Sequence, residues 1–143
     1  MLSETATEFD LGPLSWVQGE IDEALTRGTA ALAAFRGNPV DTASLKHARA
    51  HVHQAAGAIQ MVGLDAVVAF TDEIERQLVR LEELPAAGVP VIVDLVDHSV
   101  SRLRVFLDEV AGGAPPVPLT LFGEFDAMQK ARGVEAPAPT DLF

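Results

Sequence analysis

The feature that most constrains the fold is a stripe of apolar residues between positions 45 and 62. Its members are separated alternately by three and four positions, so they lie along one side of an α-helix, as in the seam of a helical bundle. The stripe consists of Leu45, Ala48, Val52, Ala55, Ile59 and Val62. Such a helix is stable only when other helices cover the stripe, so the rest of the chain must supply them.

Three further segments show the same helical periodicity, and no stretch shows sustained alternation of apolar and polar residues. Pro and Gly residues separate the segments. We therefore predict core helices at about residues 13–36, 41–62, 65–84 and 90–111. Because the connecting loops are short, successive helices are expected to run antiparallel, which gives an all-α, up-down-up-down four-helix bundle.

A shorter amphipathic segment, at about residues 119–132, follows a Pro-rich stretch. We predict an additional short C-terminal helix there, which docks apolar side chains on the bundle. These side chains are Leu121, Phe122, Phe125 and Met128. Residues 1–132 are thus expected to form one helical domain, and the Pro/Ala-rich residues 133–143 a linker to a missing downstream region.

Composition excludes several classes of protein. A length of 143 residues with 48% hydrophobic residues suits one domain with one core. The formal charge of −11 argues against binding to nucleic acid or to an anionic membrane. The chain has no cysteine, no uninterrupted apolar run of the roughly 20 residues that span a bilayer, and no secretory signal. We expect a cytoplasmic domain that is monomeric in isolation.

His53 lies in the middle of the second predicted helix and is the main candidate for a functional residue. If Val52 faces the core, His53 lies on the flank, about 100° away. Ala56 and Gly57 then border the ring on its C-terminal side and leave it open to a large partner. Gly57 costs roughly 1 kcal/mol in a helix interior relative to alanine, so access or packing must account for it.

The charges around His53 suit a group that meets a phosphoryl donor. Residues 42–64 contain no Asp or Glu, although the chain is strongly acidic. Neutral imidazole is a competent nucleophile near pH 7. Two residues of the same helix are possible phosphoryl contacts, Arg49 one turn before His53 and Gln60 two turns after it. The alternative is that Gly57 and Ala58 merely permit close helix packing and that His53 is an ordinary surface histidine.

The region from residue 45 to about residue 78 resembles the histidine phosphotransfer (HPt) domain. The motif of that family is a histidine followed by a basic residue three positions on and by glycines at four and ten. The matching positions are His53, Ala56, Gly57 and Gly63, followed by a helix that carries Glu73 and Glu75. More narrowly, LGPLSWVQGEIDEAL, HVHQAAGAIQMVGL and a DLF after a Pro/Ala linker look like the N-terminal region of large CheA-like hybrid kinases, which are linked to type IV pilus and twitching-motility signalling.

This resemblance implies that His53 accepts a phosphoryl group from a kinase ATP-binding domain and passes it to an aspartate on a response-regulator receiver domain. From the residues themselves we expect no cofactor, no metal and no autonomous catalysis. The chain departs from the family pattern at Ala56, where the usual residue is a lysine that neutralises the phosphoryl charge. The competing hypothesis is therefore a degenerate, non-phosphorylated module that serves interaction or spacing.

The other histidines, the tryptophan and the glycines give weaker indications of a functional site. His47 and His51 could share a helix face, but no third ligand accompanies them, so we predict no metal site. His98 is expected to be an ordinary surface residue, and Trp16 a core or inter-helix anchor. No nucleotide-binding fingerprint is present, so the domain should not bind ATP itself.

We also predict two surfaces, an acidic face on the third helix and an apolar patch beside His53. The acidic residues of the third helix are expected to form a solvated face with paired charges. They are Asp72, Glu73, Glu75, Glu82 and Glu83. An apolar docking patch for partners is expected beside the histidine, with Ala55, Ala56, Ile59 and Met61 at its edges.

Overall fold

The computed structural model describes residues 11–115 and 117–133, and within those ranges every regular element is helical. The α-helices are α1 (Leu11–Gly37), α2 (Thr42–Met61), α3 (Asp65–Leu81), α4 (Val89–Ala111) and α5 (Phe122–Ala131). Short 3-10 helices at Ala86–Gly88 and Pro118–Leu121 precede α4 and α5. The all-α prediction is confirmed, whereas the predicted linker from residue 134 onward lies outside the described residues.

Helices α1 to α4 close into a ring around a single core. α1 packs on α2, α2 on α3, α3 on α4, and α4 again on α1, which is the up-down-up-down four-helix arrangement. The core is built from the predicted apolar stripes, including Leu25, Val52, Phe70 and Leu103. The short α5 packs on α3 and α4 and confirms the additional C-terminal helix.

The ends of α2 show why the chain folds into a helical hairpin here. Asp41 caps the first turn, because its carboxylate accepts hydrogen bonds from the Ser44 amide (3.1 Å) and the Ser44 hydroxyl (2.7 Å). These bonds favour the ionised form and lower the pKa of Asp41. At the other end Gly63 adopts φ +84°, and the Leu64 amide donates to the carbonyl of Ile59. This is a Schellman turn, which only glycine adopts without strain and which reverses the chain into α3.

Helices α1 and α2 approach closely at Gly28, a buried residue that the sequence pattern did not single out. A Cβ atom at this position would lie 3.3 Å from a methyl group of Val52 and 3.5 Å from the carbonyl oxygen of Ala48. The missing side chain lets the backbone of α1 rest against the buried side of α2.

A buried ion pair holds α5 against α3. The side chain of Glu73 is fully buried and accepts hydrogen bonds from Arg132 Nε (2.5 Å) and Nη2 (2.7 Å). Gln77 Nε2 donates to the same carboxylate (3.0 Å) and to the carbonyl of Met128 (2.7 Å). Bonding to Glu73 raises the pKa of Arg132.

The expectation of a continuous solvated acidic face on α3 is wrong at Glu73, because α5 covers that side of the helix. Asp72, Glu82 and Glu83 are exposed, and Glu75 is half-buried. Only some of the acidic residues therefore contact solvent freely.

Trp16 is not a core anchor. It is 88% exposed, because Leu14 and Ile21 set the buried side of α1 and Trp16 lies about 200° around the helix from Leu14. Helix α3 also ends at Leu81 and not at residue 84, since the residue before Pro85 is disfavoured in helical geometry.

Replacing Arg132 with methionine should destabilise the domain by about 3–5 kcal/mol, because it leaves the Glu73 charge buried without a partner. Urea unfolding of the whole chain, followed by circular dichroism, measures this. Lys130→Met is the matched control, since it removes only the pair of the exposed Lys130 with the half-buried Asp126 on the same helix and should cost less than about 1 kcal/mol. Equal losses in the two variants would contradict a structural role for the buried pair.

Candidate functional site

The imidazole of His53 stands on the solvent side of α2. Its side chain is 79% exposed, whereas the preceding residue, Val52, is buried in the core. Successive residues of a helix point about 100° apart, so burying Val52 turns His53 outward. The ring is therefore open to a partner protein.

Glu75 of α3 orients the ring. Its carboxylate oxygen Oε1 lies 2.8 Å from His53 Nδ1, and its side chain is largely shielded from solvent. An ionised carboxylate only accepts hydrogen bonds, so Nδ1 carries a hydrogen atom and donates the hydrogen bond to Glu75. In that tautomer Nε2 holds the free lone pair.

Sequence reasoning placed Glu75 on a solvated face and missed this contact. A usable signal was present, because His53 and Glu75 are both eleven positions from Leu64, where the hairpin turns. Residues equally far from the turn of an antiparallel helical hairpin lie at the same level along the two helices, so the position of the turn brings His53 and Glu75 to one height.

The predicted freedom from negative charge around His53 is wrong in three dimensions. Residues 42–64 contain no acid, but α3 brings two carboxylates to the same face. One is Glu75, and the other is Glu82, which accepts a hydrogen bond from Arg49 Nη1. Arg49 thus lies one turn before His53 but is paired with α3.

The two small residues after His53 have different environments. Gly57 is exposed, and a Cβ atom built there would meet no atom within 4 Å, so the packing explanation for this glycine is wrong. Ala56 is only 8% exposed and faces the packed side of α2. Only Gly57 therefore opens the surface beside the ring, and Gln60 is exposed one turn further on.

The predicted apolar docking patch does not exist as described. Ala55 and Ile59 are part of the core, because they continue the seam that packs against the neighbouring helices. Of the four residues, Met61 alone is exposed. Gly63 serves the turn at the end of α2, where its φ is positive, and does not border the ring.

The remaining histidines do not join the site. His47 is exposed and His51 half-buried on α2, while His98 Nε2 lies 3.1 Å from Glu124 Oε2 across α4 and α5. Within residues 11–115 and 117–133, no three His, Cys, Asp or Glu side chains are grouped so as to hold a metal ion.

The described domain is thus an antiparallel four-helix bundle that presents an exposed histidine held by a carboxylate. The chain matches the family described as Hpt domain over residues 14–111, from the first turn of α1 to the last residue of α4. It therefore belongs to the Hpt domain family, whose members carry out histidine phosphotransfer in two-component signalling. No curated protein and no solved structure matches the chain.

Among the described residues, no helix combines the length and the apolar character that a bilayer span requires.

Replacing Gly57 with alanine should stabilise the domain by about 0.5–1 kcal/mol, because alanine is the better helix former and the space beside the glycine is empty. Gly63→Ala is the matched comparison and should destabilise by about 1 kcal/mol, since it forces alanine into a left-handed conformation. Urea unfolding measures both. A loss of stability in Gly57→Ala would contradict the open surface beside His53.

Proposed function

We propose that His53 is the phosphoacceptor of this domain. It would receive the phosphoryl group from a kinase ATP-binding domain and pass it to an aspartate of a response-regulator receiver domain. The observation that carries the proposal is the exposed ring whose Nδ1 is held by Glu75, because this leaves Nε2 free and facing solvent. Membership of the Hpt family supports the same reaction.

In the first transfer this domain contributes two side chains, His53 and Glu75. The lone pair of Nε2 forms a bond to the γ-phosphorus of ATP, and the bond from that phosphorus to the bridging oxygen of ADP breaks. The ring then carries positive charge, which the carboxylate of Glu75 stabilises through the Nδ1 proton. In the second transfer the P–N bond breaks as a receiver aspartate oxygen bonds to phosphorus, and the receiver and its Mg²⁺ supply that chemistry.

The residues around His53 leave the ring accessible to a partner but offer little positive charge to neutralise a phosphoryl group. Gly57 leaves the surface beside the ring bare, and Gln60 is exposed on the following turn. The phosphoryl charge would meet no lysine at Ala56, whose side chain faces the bundle. Arg49 is then the nearest cation on α2 in sequence, with Gln60 as a neutral hydrogen-bond donor.

We further propose the setting of this domain. The resemblance to the N-terminal region of CheA-like hybrid kinases supports a cytoplasmic module of a chemotaxis-like or type IV pilus signalling protein. The net charge of −11 supports protein partners over nucleic acid or membrane, and the isolated domain is proposed to be a monomer.

One observation favours the competing function of a non-phosphorylated interaction module. Arg49 is held by Glu82, so the ring of His53 has a carboxylate partner in Glu75 but no cation bonded beside it. A phosphoryl group would then add negative charge next to Glu75. The two functions differ in a single observable, which is phosphorylation of His53.

Incubation of the domain with its kinase core and labelled ATP tests the proposal. Wild type and His47→Gln should be labelled, while His53→Gln should lose all label, because the other histidines lack the held Nδ1. His47→Gln is the matched control, as it removes an exposed histidine from the same helix. An unlabelled wild type, beside a sister Hpt domain that is labelled, would establish the interaction module instead.

Glu75→Gln should slow phosphorylation of His53 by about tenfold to hundredfold, because a neutral amide neither fixes the tautomer nor stabilises the charged ring. Rapid-quench measurement of phosphohistidine gives the rate, and ¹⁵N NMR of the ring gives the tautomer. Glu83→Gln, which changes an exposed acid in the turn after α3, should leave both unchanged. An unaltered rate in Glu75→Gln would remove Glu75 from the mechanism.

A further inference from the structure

Two side-chain pairs connect α2 to α3 on the face that carries the ring. One is His53 with Glu75, and the other is Arg49 with Glu82. Arg49 and Glu82 are each about 40% exposed, so water reaches both partners and the pair can exchange. Exposed ion pairs of this kind contribute little to stability.

Arg49 and the ring share one patch of surface. They are four positions apart on α2, so they are neighbours on the helix. Side chains on a helix lean toward its N-terminus, which places the ring of His53 over the turn that holds Arg49. A phosphoryl group on Nε2 would thus develop its charge within reach of that guanidinium.

We propose that Glu82 is a positioning residue, which holds Arg49 before phosphorylation and releases it to the phosphoryl group afterwards. The inference rests on the proposed function of His53. Arg49 supplies from the preceding turn the positive charge that Ala56 lacks. Glu75 stays on Nδ1 throughout, so the two carboxylates of α3 have separate tasks.

The exchange is favourable on electrostatic grounds. A guanidinium binds a dianionic phosphoryl group through two parallel hydrogen bonds, which is stronger than one contact to an exposed carboxylate. Glu82 therefore competes with the phosphoryl group for Arg49 and lowers the stability of the phosphorylated state. Removing its charge should make Arg49 more available.

Phosphoramidate is a suitable probe, because it phosphorylates histidine without a kinase. Nε2 bonds to phosphorus as the P–N bond of the donor breaks, and the donor nitrogen, which is already protonated near pH 7, leaves as neutral ammonia. ³¹P NMR of the chain follows the formation and decay of phosphohistidine. Wild type, Glu82→Gln, Arg49→Gln and the double variant are compared, after thermal unfolding has shown that each is folded.

Glu82→Gln should increase the half-life of phosphohistidine by about twofold to fivefold, and Arg49→Gln should shorten it by a similar factor. The double variant should match Arg49→Gln, because Glu82 acts only through Arg49. Glu23→Gln is the matched control, since it removes the acid of another exposed Glu–Arg pair, with Arg27 on α1, and should leave the half-life unchanged.

The outcomes separate the two proposals. A wild type in which His53 stays unphosphorylated overturns the proposed function and this inference with it. Phosphorylated His53 with equal half-lives in wild type and Glu82→Gln overturns the role of Glu82 alone. A gain from Glu82→Gln that persists without Arg49 also overturns it, because the carboxylate would then act by direct repulsion.

Discussion

Burial of the apolar seam of α2 is the constraint on which the site depends. With Val52 in the core and the backbone of α1 close at Gly28, α2 cannot rotate, so His53 must face solvent. The Schellman turn at Gly63 then sets how far α3 returns along α2, and this register brings Glu75 to the ring. The exposure of His53 and the pairing of its Nδ1 thus have one structural origin, the packed hairpin of α2 and α3.

The fold could be predicted from the sequence because it is determined locally. Helical periodicity and Pro or Gly at the ends define each helix, and short loops leave the antiparallel bundle as the simplest packing. The site was harder, because contacts between helices depend on their register and on how wide a face each buries. Ala56 looked like part of an open surface, yet α2 packs against both α1 and α3, so its buried face extends beyond the seam.

The charges around His53 could not be predicted from the sequence of α2 alone for the same reason. The acid-free stretch of α2 is real in the sequence, but a neighbouring helix supplies the carboxylates that the stretch lacks. Glu73 shows the converse, since a residue that is charged in sequence lies fully inside the domain once Arg132 joins it. The family match ends at residue 111, before α5, so this pair ties an element outside the matched region to the shared bundle.

The Glu73–Arg132 pair also orders events during synthesis of the chain. Arg132 lies 59 positions after Glu73, so α1 to α4 leave the ribosome before the cation that Glu73 requires. Until then the carboxylate of Glu73 must keep its water, which opposes closure of the bundle on that side. Helix α5 therefore completes the interior, because its Arg132 and the carbonyl of Met128 bond the buried polar side chains of α3.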